Sequence, residues 1–432
     1  MKRNLMKSFV ATALMVSLLA GCSAGAAGSQ ADSGENGSAG SAQTDTAQKA
    51  DKIVFWSTKE DCFAEDAAEF TKQTGIEVEA TYMGGYDEMV NKVMAGIAAE
   101  DLPDIAQLGQ RHGISQMYDS GYLLAAEDVM PQEIMDDILP GFWKRFTYKG
   151  TKVILPFQNS MPVLYYNKTA FEQADAAVPT TLDEVVATAK IMTDGGNYYG
   201  FSTNNDTPWY ALALLYNSNV HVVDEQGEAN IATEAAEKVF AAYQQMACTD
   251  KSLPANQHAT AQEDFTNQKV MMLLSSCASY AKIQKLVGDK FEVGVSTFPT
   301  VDTMDIPMGG NGLGFFKSTP EKQAAAVEFA TFMLDPERVA KNTLNYGYIP
   351  VRSAAIETET YQEYLKDPNR QIIHNQLESL GGRGVNPADS LIWESVSQLI
   401  DAVEADPNTD IGDQLSKIQE NVDKYLKEYA GE

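Results

Sequence analysis

The alternation of short β-type runs with helical runs between Lys52 and Gly109 constrains the fold of this chain more than any other feature. In order, these runs are KIVFWS, FAEDAAEFTKQTG, IEVEATYM, YDEMVNKVMAGIAAE and PDIAQLG. Strand–helix–strand alternation predicts an α/β fold built on a parallel, doubly wound sheet. Ligands of such sheets bind beyond the carboxyl ends of the strands, which lead here to Trp56, to the loop before Tyr86 and to Gln110.

A polar tripeptide interrupts the apolar stretch LPFQNSMPVLYYNKTAF, which follows a hairpin predicted to turn at Lys149-Gly150. Its residues, Gln158, Asn159 and Ser160, are uncharged donors and acceptors of hydrogen bonds. A buried core would have to satisfy every one of these groups, whereas a cleft floor can offer them to a ligand. We therefore predict that the tripeptide lies at a hinge and faces a cleft; a chance polar break in a strand is the alternative.

Local signals place several later elements. Thr181 and Glu184 have the spacing of a capping box at the start of a helix. VMMLLSS and FEVGVSTFP belong to a second block of alternating segments, and the glycine-rich run MGGNGLGFF is read as a strand. The helix after that strand is predicted to begin with Thr319 as its N-cap and Pro320 at its first position.

The N-terminus has the features of a bacterial lipoprotein signal. Lys2, Arg3 and Lys7 precede the apolar run 8–19, which is shorter than the roughly 20 residues that a membrane-spanning helix needs. The run ends in Leu-Ala-Gly-Cys, so Cys22 is the predicted lipidated residue and residues 1–22 the signal. An ordinary signal peptide with a chance cysteine is the alternative.

Residues 23–49 are predicted to be a flexible tether. Of the 27 residues from Ser23 to Lys49, 17 are glycine, alanine or serine, with no aromatic and no large aliphatic side chain. Such a segment buries too little surface to offset the entropy of ordering. A tether after a lipidated cysteine would let a folded domain move near its membrane.

Charge and cysteine content exclude several classes of partner. The formal net charge is −28, which argues against nucleic acid and against polybasic docking on anionic lipid. Besides Cys22 the chain has Cys62, Cys248 and Cys277, with no CxxC pair. These positions predict neither a disulfide framework nor a zinc site; three inert thiols are favoured over a single disulfide.

No catalytic or cofactor motif is present. The sequence lacks HExxH, GxSxG and the phosphate-binding GxxxxGK[ST], and its four histidines are far apart. We therefore predict no metal, no cofactor and no enzymatic activity. A secreted glycoside hydrolase is a minor alternative, because a pair of catalytic carboxylates could be nominated among the 60 acidic residues.

The order of these features resembles that of the family 1 extracellular solute-binding proteins of ABC importers, the carbohydrate-type branch. The resemblance covers almost all of residues 52–429. It rests on the Leu-Ala-Gly-Cys segment (the lipobox), the tether, and the runs KIVFWS, PFQNSMPVLYYNKTAF, VPTTLDEV, FTNQKVMM and YGYIPVR. It implies the type II periplasmic-binding fold: two doubly wound α/β lobes, a hinge, and a ligand cleft between them. Gln268 stands where the family usually has glycine, and Leu182 where it often has tryptophan.

Within this family the tripeptide region is similar to the sn-glycerol-3-phosphate-binding branch. The similarity implies that the ligand is bound by aromatic rings, hydroxyls, backbone and one arginine: Tyr86, Tyr348, Ser160, Ser276, Gly309, Gly310 with the neighbouring Asn311, and Arg383. That branch has an acidic residue where this chain has Gln110. Its two tryptophans of the second lobe are matched at best by Trp209.

Several of these residues also have a plain structural interpretation. Trp56 is either core or a stacking face for sugar C–H groups, and Trp209 is better placed for stacking. Ser276, near the start of a predicted helix, either caps it or helps to hold an anion. Arg383, in GGRG, either approaches the ligand or lies on a surface turn.

The function expected from these features is capture of a carbohydrate-type solute for an ABC importer. Arg383 and Ser276 favour a phosphate such as sn-glycerol 3-phosphate. Gln110, the acidic chain and the amide-rich tripeptide favour a neutral sugar or oligosaccharide. Together these features slightly favour the neutral ligand. The expected partners are the solute and the transmembrane subunits of the permease. A metal-capture lipoprotein using Tyr165 and Tyr166, and a structural or signalling lipoprotein, are the remaining alternatives.

The expected organisation has four parts: the signal 1–22, the tether 23–49, lobe 1 (50–157 with 305–347) and lobe 2 (158–304 with 348–432). The protein is predicted to be a monomer on the outer face of the cytoplasmic membrane, attached only through its lipid anchor.

Overall fold

The computed structural model describes residues 49–109, 113–204, 208–224, 226–382 and 384–431. Its strands are β1 Lys52–Ser57, β2 Glu77–Tyr82, β3 Ile105–Gly109, β4 Leu123–Leu124, β5 Thr147–Tyr148, β6 Thr151–Lys152, β7 Leu155–Ser160, β8 Pro162–Asn167, β9 Tyr199–Thr203, β10 Val270–Ser276, β11 Val293–Ser296, β12 Ile306–Pro307, β13 Gly309–Phe316 and β14 Leu380–Gly381.

The α-helices alternate with these strands along most of the chain. They are α1 Ala64–Thr74, α2 Tyr86–Ala99, α3 Ile114–Asp119, α4 Ala126–Val129, α5 Gln132–Asp137, α6 Pro140–Phe146, α7 Lys168–Ala174, α8 Leu182–Ile191, α9 Trp209–Asn217, α10 Glu234–Gln244, α11 Ala261–Thr266, α12 Tyr280–Val287, α13 Pro320–Met333, α14 Pro336–Tyr346, α15 Ser353–Ile356, α16 Glu359–Tyr364, α17 Pro368–Asn375, α18 Asp389–Ala405 and α19 Ile411–Ala430.

The first sheet has the strand order β2-β1-β3-β13-β4, with β7 also paired to β13. β1 is parallel to β2 and β3, as the strand–helix alternation predicts. β13 is antiparallel to β3, β4 and β7, so the sheet is mixed rather than wholly parallel. The difference arises because β13 enters this sheet late in the chain, after the second sheet is complete, and runs in the opposite direction.

The second sheet has the order β11-β8-β10-β9. β10 runs parallel to β9, whereas β8 is antiparallel to both β10 and β11. Met161 alone separates β7 of the first sheet from β8 of the second, so the chain passes from one sheet to the other at this residue. Two α/β lobes built on these sheets confirm the predicted fold class; the residue limits of the lobes remain a prediction.

Local sequence signals set the ends of several helices as predicted. Thr181 and Glu184 form a complete capping box at the start of α8. Thr319 caps α13, with Pro320 at the first position. β5 and β6 form the hairpin predicted around Lys149-Gly150.

Within the described residues, three further observations concern the cysteines, the helices and possible metal-binding groups. Cys62, Cys248 and Cys277 are free thiols, and burial raises the pKa of Cys277 to about 12. None of the helices described here combines the length and the apolar character that a membrane crossing requires. The same residues contain no group of three or more His, Cys, Asp or Glu side chains that could hold a metal ion.

Gln268 occupies a backbone conformation that suits the glycine its family usually has there. Its φ is 61°, in the left-handed region, which costs an L-residue about 1–2 kcal/mol. Because glycine loses about 0.5–1 kcal/mol of extra backbone entropy on folding, we expect Gln268→Gly to stabilise the protein modestly, by about 0.5–1 kcal/mol.

Urea unfolding of Gln268→Gly and of Asn267→Gly tests this explanation. The neighbouring Asn267 has φ −102°, so glycine there relieves no strain and should destabilise. A lower unfolding midpoint for both variants would contradict the strain explanation.

Candidate functional site

One cavity of about 320 Å³ is lined by residues from both sheets and from the helices around them. β7 and β13 of the first sheet contribute its floor, and the ends of β9 and β10 in the second sheet lead into its other walls. The lining residues are Tyr86, Arg145, Ser160, Trp209, Leu212, Tyr216, Ser276, Ala278, Ser279, Pro307, Met308, Gly309, Gly310, Tyr348, Asp389, Ile392 and Trp393.

The structure therefore brings seven of the predicted site residues together. They are Tyr86, Ser160, Trp209, Ser276, Gly309, Gly310 and Tyr348. They come from distant parts of the chain, and they meet because β13 pairs with β7 while α9 and the end of β10 face the same space. Their roles in binding a ligand remain a prediction.

The floor of the cavity depends on glycines that leave room for other groups. Gly309 pairs with Ser160 across β13 and β7. A Cβ on Gly309 would stand 2.6 Å from Cη2 of Trp209 and 3.0 Å from Oγ of Ser160. Gly310 has φ 95°, and a Cβ there would lie 2.0 Å from the carbonyl oxygen of Gln158. The indole of Trp209 thus packs directly on strand backbone.

Tyr86, the first residue of α2, lies over another glycine. A Cβ on Gly109 would stand 2.6 Å from Cγ of Tyr86. Nδ2 of Asn311 lies 3.1 Å from Oη of Tyr86. Asn311 is itself buried and outside the cavity lining, so among the described contacts it meets the cavity through Tyr86.

Ser276 ends β10 and caps the short 3₁₀ turn Cys277–Ser279 that leads into α12. Its Oγ accepts a hydrogen bond of 3.2 Å from the backbone N–H of Ala278. The capping interpretation of Ser276 is therefore correct. Because Ser276 also lines the cavity, its proposed part in holding an anion stays open as a prediction.

Tyr348 lies at an edge of the cavity beside a cationic side chain. Nζ of Lys59 is 5.1 Å from the ring centroid of Tyr348 and 4.2 Å from that of Tyr346, distances at which a cation is attracted to an aromatic face. Burial raises the pKa of Tyr348 and lowers the pKa of Lys59.

The polar tripeptide divides between two roles, which corrects the prediction that all three residues face the cleft. Ser160 lines the cavity, whereas Gln158 and Asn159 are buried outside its lining. Asn159 Nδ2 donates to the backbone carbonyl of Gly309 at 3.2 Å, and the backbone carbonyl of Asn159 accepts from the N–H of Ile349 at 2.8 Å. These bonds join three chain segments where the chain passes between the sheets.

The other predicted site residues lie elsewhere. Trp56 is half-buried and packs against the hydrophobic core, which favours its structural interpretation. Gln110, Arg383 and Cys22 lie outside the described residues.

Ten of the 17 lining residues were not among the predicted site residues, and Arg145 on α6 and Asp389 and Trp393 on α18 are three of them. Nη1 of Arg145 lies 3.8 Å from Oδ2 of Asp389, and both side chains are largely buried. Neither residue has a motif around it that marks a site. A usable signal was the rarity of tryptophan, because two of only four in the chain line this cavity.

Comparison with protein families and relatives gives one consistent result. Residues 66–371 match the family model described as bacterial extracellular solute-binding protein. The sn-glycerol-3-phosphate-binding periplasmic protein UgpB of Rhizobium meliloti is 26% identical over 353 residues, covering 75% of this chain and 81% of the relative. UgpB of Pectobacterium atrosepticum is 27% identical over 376 residues, covering 77% and 80%.

Solved structures share the fold at lower sequence identity. UgpB from Mycobacterium tuberculosis, in complex with glycerophosphocholine, has a TM-score of 0.77 at 21% identity, covering 88% of this chain and 99% of its own. A solute-binding protein from Thermotoga lettingae bound to α-D-tagatose has a TM-score of 0.74 at 20% identity, covering 87% and 100%.

Proposed function

The chain belongs to the bacterial extracellular solute-binding proteins, and on that premise we propose that it captures a small phosphorylated polyol of the sn-glycerol 3-phosphate class. The solute would bind in the 320 Å³ cavity and be delivered to the permease of an ABC importer. As a solute-binding protein of such an importer, the chain is not an enzyme.

The observation that carries the proposal is the composition of this cavity. It gathers the guanidinium of Arg145 with the hydroxyls of Ser160, Ser276, Ser279 and Tyr86. Guanidinium and hydroxyl donors bind phosphate oxygens, and the same hydroxyls can bond to a polyol. The relatives named for sn-glycerol 3-phosphate, at 26% and 27% identity, support the same class.

The size of the cavity favours a small solute over an oligosaccharide. About 320 Å³ is near the lower end of the roughly 300–1,000 Å³ that is usual for small-molecule sites. Leu212, Met308 and Ile392 fill part of the wall with apolar surface, which offers no partner to a further ring of hydroxyls.

A neutral monosaccharide is the second candidate, and two observations favour it. Arg145 and Asp389 form an ion pair, so the charge of this guanidinium is partly offset by a carboxylate within the protein. Trp209 and Trp393 supply aromatic faces on which the C–H groups of a sugar can pack.

The lipid anchor at Cys22, the monomeric state and the permease contact belong to the proposal on sequence grounds. Export agrees with the extracellular character of the family.

A thermal-shift screen of the purified protein against sn-glycerol 3-phosphate, glycerol and neutral monosaccharides tests the ligand class. A solute present at 100 times its Kd should stabilise the folded protein by about 2.7 kcal/mol. We expect sn-glycerol 3-phosphate to give the largest shift. Arg145→Ala, which removes the cavity guanidinium, and Arg383→Ala, at the arginine that the family resemblance implies, should each remove that shift. Lys282→Ala, at an exposed position on α12, should preserve it.

A shift for monosaccharides alone, unchanged in Arg383→Ala, would establish the second candidate instead. Absence of any shift across the panel would contradict both.

A further inference from the structure

Three aromatic rings surround the ammonium group of Lys59, which follows the carboxyl end of β1 by two residues. Nζ of Lys59 lies 4.2 Å from the ring centroid of Tyr346 and 5.1 Å from that of Tyr348. The ring centroid of Phe63 is 5.6 Å away. All three distances are within the roughly 6 Å at which a ring attracts a cation. We call Phe63, Tyr346 and Tyr348 the aromatic cage; the cation in it belongs to the protein itself.

The loop backbone holds Lys59 in place through bonds that do not involve its side chain. The backbone N–H of Lys59 donates to Oγ of Ser57 at 3.0 Å, and its carbonyl accepts from the N–H of Cys62 at 3.0 Å. Phe63 is buried, with its ring centroid 5.7 Å from that of Phe157 on β7. A change of the Lys59 side chain should therefore leave the loop and the aromatic cage in position.

The charge of Lys59 is held by rings instead of by a carboxylate. The nearby Asp61 favours the charged form, but no carboxylate in the described ranges forms an ion pair with Lys59. Because a ring has no net charge, it attracts the ammonium without neutralising it. Tyr348 belongs to the aromatic cage and also lines the cavity, so a solute in contact with Tyr348 shares that ring with a positive charge.

Resting on the proposed function, we propose that Lys59 is a specificity-determining residue that sets the charge of the accepted solute. An empty aromatic cage is the kind of site that binds a quaternary ammonium group. With Lys59 in the cage, such a group finds the place taken and is repelled, whereas a phosphate is attracted by the same charge. The site should therefore prefer a phosphate monoester of a polyol over a phosphodiester whose second substituent is cationic.

sn-Glycerol 3-phosphate and glycerophosphocholine test this preference, because they share the glycerol phosphate and differ by a choline group. Calorimetry gives the ratio of their two dissociation constants. Lys59→Ala empties the aromatic cage, so we expect the preference for the monoester to fall about 100-fold. About tenfold comes from the lost attraction to phosphate and about tenfold from the binding of choline in the cage. An unchanged ratio would overturn the proposal.

Three further variants separate the charge of Lys59 from its volume. Lys59→Arg keeps the cation and should keep the ratio of the wild type. Lys59→Met fills the cage without charge, so it should bind glycerophosphocholine about tenfold more weakly than Lys59→Ala does. Equal binding by these two variants would overturn the role of the cage. Lys52→Ala removes an exposed lysine that pairs with Glu79 at the other end of β1 and should leave the ratio unchanged.

A titration with tetramethylammonium chloride keeps the proposal testable if sn-glycerol 3-phosphate fails to bind, a failure that would contradict the proposed function. The NMR signals of the Tyr346 and Tyr348 rings, assigned with Tyr346→Phe and Tyr348→Phe, report on the aromatic cage. We expect these signals to shift in Lys59→Ala at concentrations that leave the wild type unchanged. Equal shifts in the two proteins, or no shift in Lys59→Ala, would overturn the proposal.

Discussion

Gly309→Ala is expected to weaken solute binding about 100-fold while leaving the unliganded fold largely intact. The added Cβ would stand 2.6 Å and 2.7 Å from two ring carbons of Trp209. Overpacking of this kind costs about 1–3 kcal/mol. The indole can escape by moving into the cavity that it lines, so the cost should appear as lost affinity rather than as lost stability.

Gly314→Ala is the matched control, because it lies on the same strand and overlaps its neighbours to a similar extent. A Cβ on Gly314 would stand 2.5 Å from Cδ1 of Leu108 and 3.1 Å from Cδ1 of Leu123, away from the cavity. We expect this variant to lower the melting temperature and to preserve affinity. Calorimetry measures the affinity of both variants, and thermal unfolding measures their stability. An unchanged affinity in Gly309→Ala would contradict a solute site at the cavity floor.

Glu404→Gln is expected to lower the free energy of unfolding by about 3 kcal/mol, because it breaks a buried ion pair. Oε2 of Glu404 lies 3.0 Å from Nε2 of His258, and both side chains are almost inaccessible. Nδ1 of His258 lies 3.2 Å from the carbonyl of Thr203, which can only accept a hydrogen bond. The pair ties α18 to the end of β9, next to the helix that carries Trp209.

The effect of Glu404→Gln should depend on pH in a defined direction. Burial lowers the pKa of His258, but the hydrogen bond and charge of Glu404 outweigh it, so the pKa lies above its ordinary value of 6.5. A histidine with a raised pKa in the folded protein adds its full stabilisation at pH values below its pKa in the unfolded chain. This stabilisation is lost as the pH rises through its pKa in the folded protein. The difference in the free energy of unfolding between the wild type and Glu404→Gln should therefore be larger at about pH 6 than at about pH 9.

Urea unfolding at both pH values measures this difference. Glu394→Gln on the same helix is exposed and should change stability by less than about 0.5 kcal/mol. A Glu404→Gln difference that is constant with pH, or larger at high pH, would contradict a charged His258 in the folded protein.

The sequence predicted those parts of the fold that local patterns control. The runs that became β1, α1, β2, α2 and β3 agree with the structure to within about two residues, which is the usual uncertainty of element ends. The mixed order of the first sheet was not predictable in this way, because β13 joins β3 and β7 through long-range pairing that no local pattern encodes.

Cavity residues at strand ends and at the first positions of α2 and α9 were predicted, whereas the wall residues on α6 and α18 were missed. Ser160 and Ser276 are the last residues of β7 and β10, and both line the cavity. Gln158 lies two residues before Ser160, on the same face of β7. It is farther from the end of the strand and is not among the residues that line the cavity. Arg145 and Asp389 meet only because α6 and α18 face each other in the folded chain.

Hydrogen–deuterium exchange with and without a saturating solute, chosen as the strongest stabiliser in the thermal screen, tests the central claim most directly. If the solute is held between the two sheets, exchange should slow together in the segments around Ser160, Ser276, Gly309 and Tyr348, which belong to both sides of the cavity. Protection confined to one sheet, or to a surface away from these four residues, would contradict a solute site between the lobes.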